Sequence, residues 1–198
     1  MPQMTELAEL VERRREERFL EYKESQPWDA LKSKIARTAL AMANLEGGGF
    51  LVLGMRAGES GYEPDGLRTE HLATYSEDDI HSFVNRYAMP YVDLRVDDFP
   101  YMAKRFLVIS VSQFEDVPVI CRRDGEGLRK GAIYVRSRRM RETTEIQHET
   151  DMRELIDLAT QRMLRRAVGA LGPLGDALSE SLRAAASVER YNEQLKGL

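Results

Sequence analysis

At 198 residues, with 42% apolar and 31% charged residues, the chain suits one domain of ordinary size with a real core and a polar surface. No apolar run approaches the roughly 18–20 residues that span a bilayer, and the acidic N-terminus lacks the basic start of a secretory signal, so a cytoplasmic protein is expected. A single cysteine, Cys121, excludes an intrachain disulfide, and three scattered histidines exclude a structural zinc site of familiar spacing.

Taken in chain order, residues 3–17 carry Leu7, Leu10 and Val11 on a narrow apolar stripe, which predicts a helix. Residues 19–24 alternate and predict a strand. Pro27 suits the first turn of a second helix running to about Asn44, because its missing N–H costs nothing there. Gly47, Gly48 and Gly49 close that helix and feed the apolar run 50–55, a central strand covered on both faces. Residues 56–66 predict a loop.

A helix over 77–87 follows, with Ser76 and Asp79 spaced as a capping box. Residues 91–97 alternate as a half-exposed strand, and 105–112 predict a more buried one. Short strands are expected at 117–122 and 132–136, separated by the turn 124–127. Cys121, alternating with Val119, reads as a buried small hydrophobe rather than a nucleophile. Met152, Leu155, Ile156, Ala159 and Met163 mark a helix from about 149 to 166. Gly169 to Gly175 form a hinge before a last helix over 176–195, which serves dimerisation or simply docks on the same core. The expected fold is α+β: one mixed sheet with helices mainly on one face and a C-terminal helical extension, divided as 1–168 and 169–198.

The net charge of −4 argues against indiscriminate coating of nucleic acid, but the charge is unevenly spread. Between 122 and 141 stand Arg122, Arg123, Arg129, Lys130, Arg136, Arg138, Arg139 and Arg141, against only Asp124 and Glu126. Residues 69–98 lean acidic, which predicts a two-faced molecule. Arginine dominates the basic stretch, as suits forked contacts to phosphate or to carboxylate. Nothing in the chain resembles a helix-turn-helix, a zinc finger or an aromatic RNA-reading strand pair, so base readout is not expected.

Three segments resemble the Schlafen AlbA-2 domain family and together cover roughly residues 12–145. Glu16 to Ser25 is similar to the family's acidic first strand. Ala41-Met42-Ala43-Asn44-Leu45-Glu46-Gly47-Gly48 and the strand after it resemble the "AxANxxGGxLxxGV" signature. Phe106 to Val111, Pro118-Val119 and Tyr134-Val135-Arg136-Ser137 are similar to its late strands. The order helix, glycines, strand, with no Gly-Lys-Ser/Thr, does not support a P-loop.

The resemblance implies an AlbA-like nucleic-acid-binding domain. In nuclease relatives it further implies Mg²⁺ or Mn²⁺ held by two glutamates, here Glu16 and Glu21, with Lys23 beside them for phosphate. The third acid of those relatives is missing, since Arg56-Ala57 follow Met55. Arg56 would repel a cation and suit a phosphate oxygen. Backbone contacts are expected from Arg56, Arg129, Lys130, Arg136, Arg138, Arg139 and Arg141, and a homodimer would bring two such segments to one groove. A metal-dependent nuclease and a protein-interaction module remain as alternatives. The ordinary reading of Glu21 and Lys23 is a solvated charge pair. Asn44 is expected to fix the turn after its own helix.

Overall fold

The structure is a computed structural model that describes residues 4–137 and 142–169. The chain divides into two compact units, Met1–Asp157 and Leu158–Leu198. A helix, α5, over residues 149–157 ends the first unit, and residues 158–169 of the second are helical. The expected last helix over 176–195 lies outside the described residues.

The first unit is built on a four-stranded sheet ordered β1-β2-β7-β6, from β1 (Leu20–Lys23), β2 (Gly49–Leu53), β7 (Lys104–Val111) and β6 (Leu94–Tyr101). β1 and β2 are parallel, joined across α2 (Trp28–Ala43), and the other pairings are antiparallel. The central strands β2 and β7 are buried on both faces, which explains their unbroken apolar runs. On one face Leu20, Tyr22, Val52, Phe106 and Val108 pack against Leu7, Leu10 and Val11 of α1 (Met4–Glu12). The buried Tyr22 hydroxyl donates to the Leu10 carbonyl.

Leu51, Leu53 and Ile109 lie on the opposite face, where α2 lies against β2 and β7 with its small residues Ala36, Ala39 and Ala43 buried. Beyond α2 lie α4 (Glu77–Tyr87) and the hairpin of β9 (Tyr134–Arg136) and β10 (Thr143–Glu145). The C-terminal half of α2 is therefore buried on all sides. At its end Gly48 has φ +74, and a Cβ there would sit 2.1 Å from the Val111 carbonyl oxygen, so only glycine fits.

Several expectations need correction. The first helix stops at Glu12 because Arg14 takes a left-handed φ of 51. Residues 56–66 are largely a hairpin, β3 (Met55–Gly58) with β4 (Gly61–Pro64), rather than a loop. The strand expected at 91–97 runs from Leu94 to Tyr101 and turns at Met102 and Ala103, both at positive φ, straight into β7. The short strand within 117–122 is only β8 (Ile120–Cys121), paired with β5 (Ala88–Met89). Thr69–Leu72 adds a short helix, α3. Ser76 does cap α4, accepting the Asp79 N–H at 3.4 Å. Cys121 is buried, and burial pushes its thiol pKa up, as suits a packed hydrophobe. No helix among the described residues is long and apolar enough to cross a membrane.

Candidate functional site

Glu17 and Leu20 exchange backbone hydrogen bonds at 3.0 Å, a tight turn that swings Glu16 over the start of β1. The Glu16 carboxylate then accepts the Tyr22 N–H at 3.1 Å. Tyr62, from β4, packs against Tyr22 with the rings tilted and their centroids 4.9 Å apart. Burial, then the Glu16 carboxylate that accepts its hydroxyl, push the Tyr62 pKa up to about 12, with Glu21 and Glu24 adding in the same direction. Glu16 is thus set against both tyrosines. Tyr62 escapes a reading of the sequence because its hairpin is rich in Gly and Pro and resembles a loop.

Glu21 lies on β1 beside Lys23 but is not the solvated charge its alternation suggests. It is buried, and both carboxylate oxygens are engaged: Lys23 Nζ donates to Oε1 and Arg136 Nη1 to Oε2. The remaining Arg136 donors reach the Arg18 carbonyl at 3.1 Å and the Glu17 carbonyl at 3.1 Å. Arg136 is 1% exposed, which corrects its expected role as a phosphate contact. All three residues of β9 are buried, so a guanidinium there must find its partners indoors, and it does.

Arg18 completes the clamp. Its Nε donates to the Arg136 carbonyl at 2.5 Å, and its two terminal nitrogens grip both oxygens of Glu154 on α5 at 2.6 and 2.9 Å. The two arginines therefore hold each other's backbone, tying β1, β9 and α5 together. Asn44 is a second staple. Rather than fixing its local turn, its side chain accepts the Val119 N–H at 2.7 Å and donates to the Val119 and Tyr134 carbonyls at 2.8 and 3.0 Å.

The other expected contacts lie outside this clamp. Arg56 is exposed on β3 and pairs across the hairpin with Glu63 at 2.6 Å, with Asp65 at 3.8 Å. Arg129 is exposed and forks onto both oxygens of Glu145, whose pKa the guanidinium draws below the ordinary carboxylate value. Lys130 is anchored by its backbone N–H on Asp124 at 2.9 Å, and its exposed amine pairs with no carboxylate among the described residues. Arg122 and Arg123 are likewise exposed without an acidic partner there. Arg37 of α2 faces the same loop, 4.0 Å from where a Cβ on Gly127 would stand. The loop's own acids are turned to neighbours, Glu126 accepting from Ser33 at 3.2 Å. Arg138, Arg139 and Arg141 lie outside the described residues. They are flanked by the buried Ser137, bonded to Asp151 at 3.2 Å, and the buried Thr143.

The donor set does not fit a divalent metal. The oxygens of Glu21 are taken by two cations, and Arg56 follows Met55 where nuclease relatives carry an acid. Among the described residues no three acidic, histidine or cysteine side chains are placed to hold one ion.

No curated protein matches the chain in sequence. Among solved structures it is similar to the DIP2311 protein of Corynebacterium diphtheriae, at 15% identity and TM-score 0.46, over 69% of this chain and 23% of that one. It is also similar to the N-terminal domain of a RecG-related protein from Nitrosomonas europaea, at 19% identity and TM-score 0.44, over 75% of this chain and 99% of that one. The chain thus spans about a quarter of the Corynebacterium protein. The model of the Schlafen, AlbA_2 family matches residues 16–145, well over half of the sequence, and the chain belongs to that family.

Proposed function

We propose that this chain is a cytoplasmic nucleic-acid-binding domain that holds DNA or RNA by its backbone and does not cut it. One observation carries the reading: Arg122, Arg123 and Lys130 are exposed on a single loop and pair with no carboxylate among the described residues, and Arg37 approaches the same loop at Gly127. Unpaired surface cations of this kind neutralise phosphates and release counterions, which makes affinity strongly salt-dependent. Arg138, Arg139 and Arg141 follow in the same basic stretch. Family membership supports the same class of ligand. The absence of catalysis rests on the chemistry around Glu21, whose charge is already offset by Arg136 and Lys23. In the same reading two copies pair, bringing two basic stretches to one groove; sedimentation showing only monomer at tens of micromolar would remove that part.

The test is a panel of labelled single-stranded RNA, single-stranded DNA, duplex DNA and tRNA, titrated at stepped salt with and without Mn²⁺. Binding should weaken linearly in log affinity against log salt, and every probe should stay intact. Shortening that requires Mn²⁺ and disappears in Glu16→Gln would replace this reading with a nuclease. No binding to any probe would leave the loop's cations to a protein partner.

A further inference from the structure

The four-stranded sheet ends on β1 at one side and β6 at the other, and the two edges are finished differently. Along β1 the Leu20 N–H is taken by the Glu17 carbonyl at 3.0 Å and the Tyr22 N–H by the Glu16 carboxylate at 3.1 Å. On β6 the pairing with β7 decides which way the backbone groups point. Leu94 stands opposite Val111, and just before it the Ser112 N–H bonds the Asp93 carbonyl at 2.9 Å. Bonded and unbonded positions alternate in an antiparallel pair. Arg95, Asp97 and Phe99 therefore turn their backbone groups inward to β7. Leu94, Val96 and Asp98 turn theirs outward, where they meet no backbone partner among the described residues.

An open edge pairs with other strands, and chains commonly guard it with charge or proline. The charges of β6 guard it against most strands but not against a second β6. When two copies lie antiparallel with Val96 opposite Val96, Arg95 of each faces Asp97 of the other. Those are unbonded positions, where side chains across a pair come closest. Within one chain the two already share a face, half-buried, with Arg95 donating to Asp97 at 2.7 Å. The paired strands thus bring together charges of alternating sign. Sliding one strand by two residues either way sets Arg95 against Arg95 or Asp97 against Asp97, so charge fixes the register. Pro100, exposed and without an N–H, lies beyond the matched stretch and ends it.

We infer that β6 is the surface on which two copies of this chain meet, edge to edge about a two-fold axis, with one sheet running through both. This gives the pairing of copies proposed above its contact and rests on that reading, while nucleic-acid binding by the loop after β8 stands apart from it. A foreign strand would find the same backbone groups. A second copy is favoured because the charges of β6 answer themselves across a two-fold axis. The matched stretch is short and has a single apolar meeting, Val96 on Val96, so the dimer is weak and comes apart on dilution.

The test is sedimentation of the full chain at tens of micromolar, with hydrogen exchange at the Val96 and Asp98 amides. The parent should dimerise, with both amides protected in the dimer and exchanging freely on dilution. Arg95→Asp and Asp97→Arg should each weaken self-association by about tenfold, because each sets like charges opposite one another. Mixed in equal amounts, the two variants should pair with each other as strongly as the parent does with itself, since every facing charge is then unlike. Repair within one chain cannot produce that result. Unfolding temperatures of both variants should stay near that of the parent. A parent that remains monomeric overturns both this contact and the pairing proposed above. A dimer that neither variant weakens, or variants that fail to pair when mixed, overturns the contact at β6 alone. Protection of the two amides that persists in the monomer puts the chain's own residues on this edge and overturns it likewise.

Discussion

Two arginine-bearing regions of this molecule, Arg18 with Arg136 and the loop from Arg122 to Lys130, put the same chemistry to opposite uses. In the first, Arg136 is withdrawn from water and Arg18 is half-buried, and their donors are met by Glu21, Glu154 and three backbone carbonyls. In the second, Arg122, Arg123 and Lys130 stand in solvent with no acid opposite them among the described residues. A count of charges treats the two alike. What separates them is pairing: a cation already matched inside the fold holds strands together, and only an unmatched one is available to a ligand.

The sharpest way to break this comparison is Arg136→Met. It strips Glu21 of its buried partner, and we expect a loss of roughly 3 kcal/mol, with Lys23 limiting the damage. Thermal or urea unfolding reads it, and a large part should return in Arg136→Met with Glu21→Leu, because the orphaned charge is then gone too. A loss below about 0.5 kcal/mol would place Arg136 with ordinary surface residues. Asn44→Ala comes next, at about 2 kcal/mol, because it leaves backbone groups of Val119 and Tyr134 without their partners in a buried place.

The contrast between these two positions shows what a linear reading can and cannot reach. The glycine-fed β2 and the buried β7 are legible because they depend on local period and on residue type. The partner of Glu21 is not, since Arg136 stands 115 residues away and its motif, Tyr-Val-Arg-Ser, suits an exposed strand end equally well. Asn44 has the same difficulty, as an asparagine at a helix end ordinarily serves its own turn. The true extent of β6, to Tyr101, is not legible because its turn uses Met102 and Ala103 where Asn-Gly is the usual signal. Tyr62 is hidden with the hairpin that carries it.

The smallest effect belongs to Arg129 and Glu145, an exposed pair between the two extremes. Glu145 has its pKa lowered by the guanidinium, so whatever stability the pair contributes is present above the ordinary carboxylate range and is lost as pH falls through the lowered value. Arg129→Gln should therefore leave unfolding at neutral pH and high salt nearly unchanged and slightly reduce the acid sensitivity. A strong destabilisation at high salt would move Arg129 into the clamp's category.

The most direct measurement is the salt dependence of nucleic-acid affinity in the triple variant Arg122→Gln, Arg123→Gln, Lys130→Gln. If these three cations contact phosphate, the slope of log affinity against log salt falls in magnitude by about 2 to 3 relative to the parent, while the unfolding temperature stays where it was. A parent that binds with an unchanged slope after the substitution would show that the loop after β8 is not where the backbone is held.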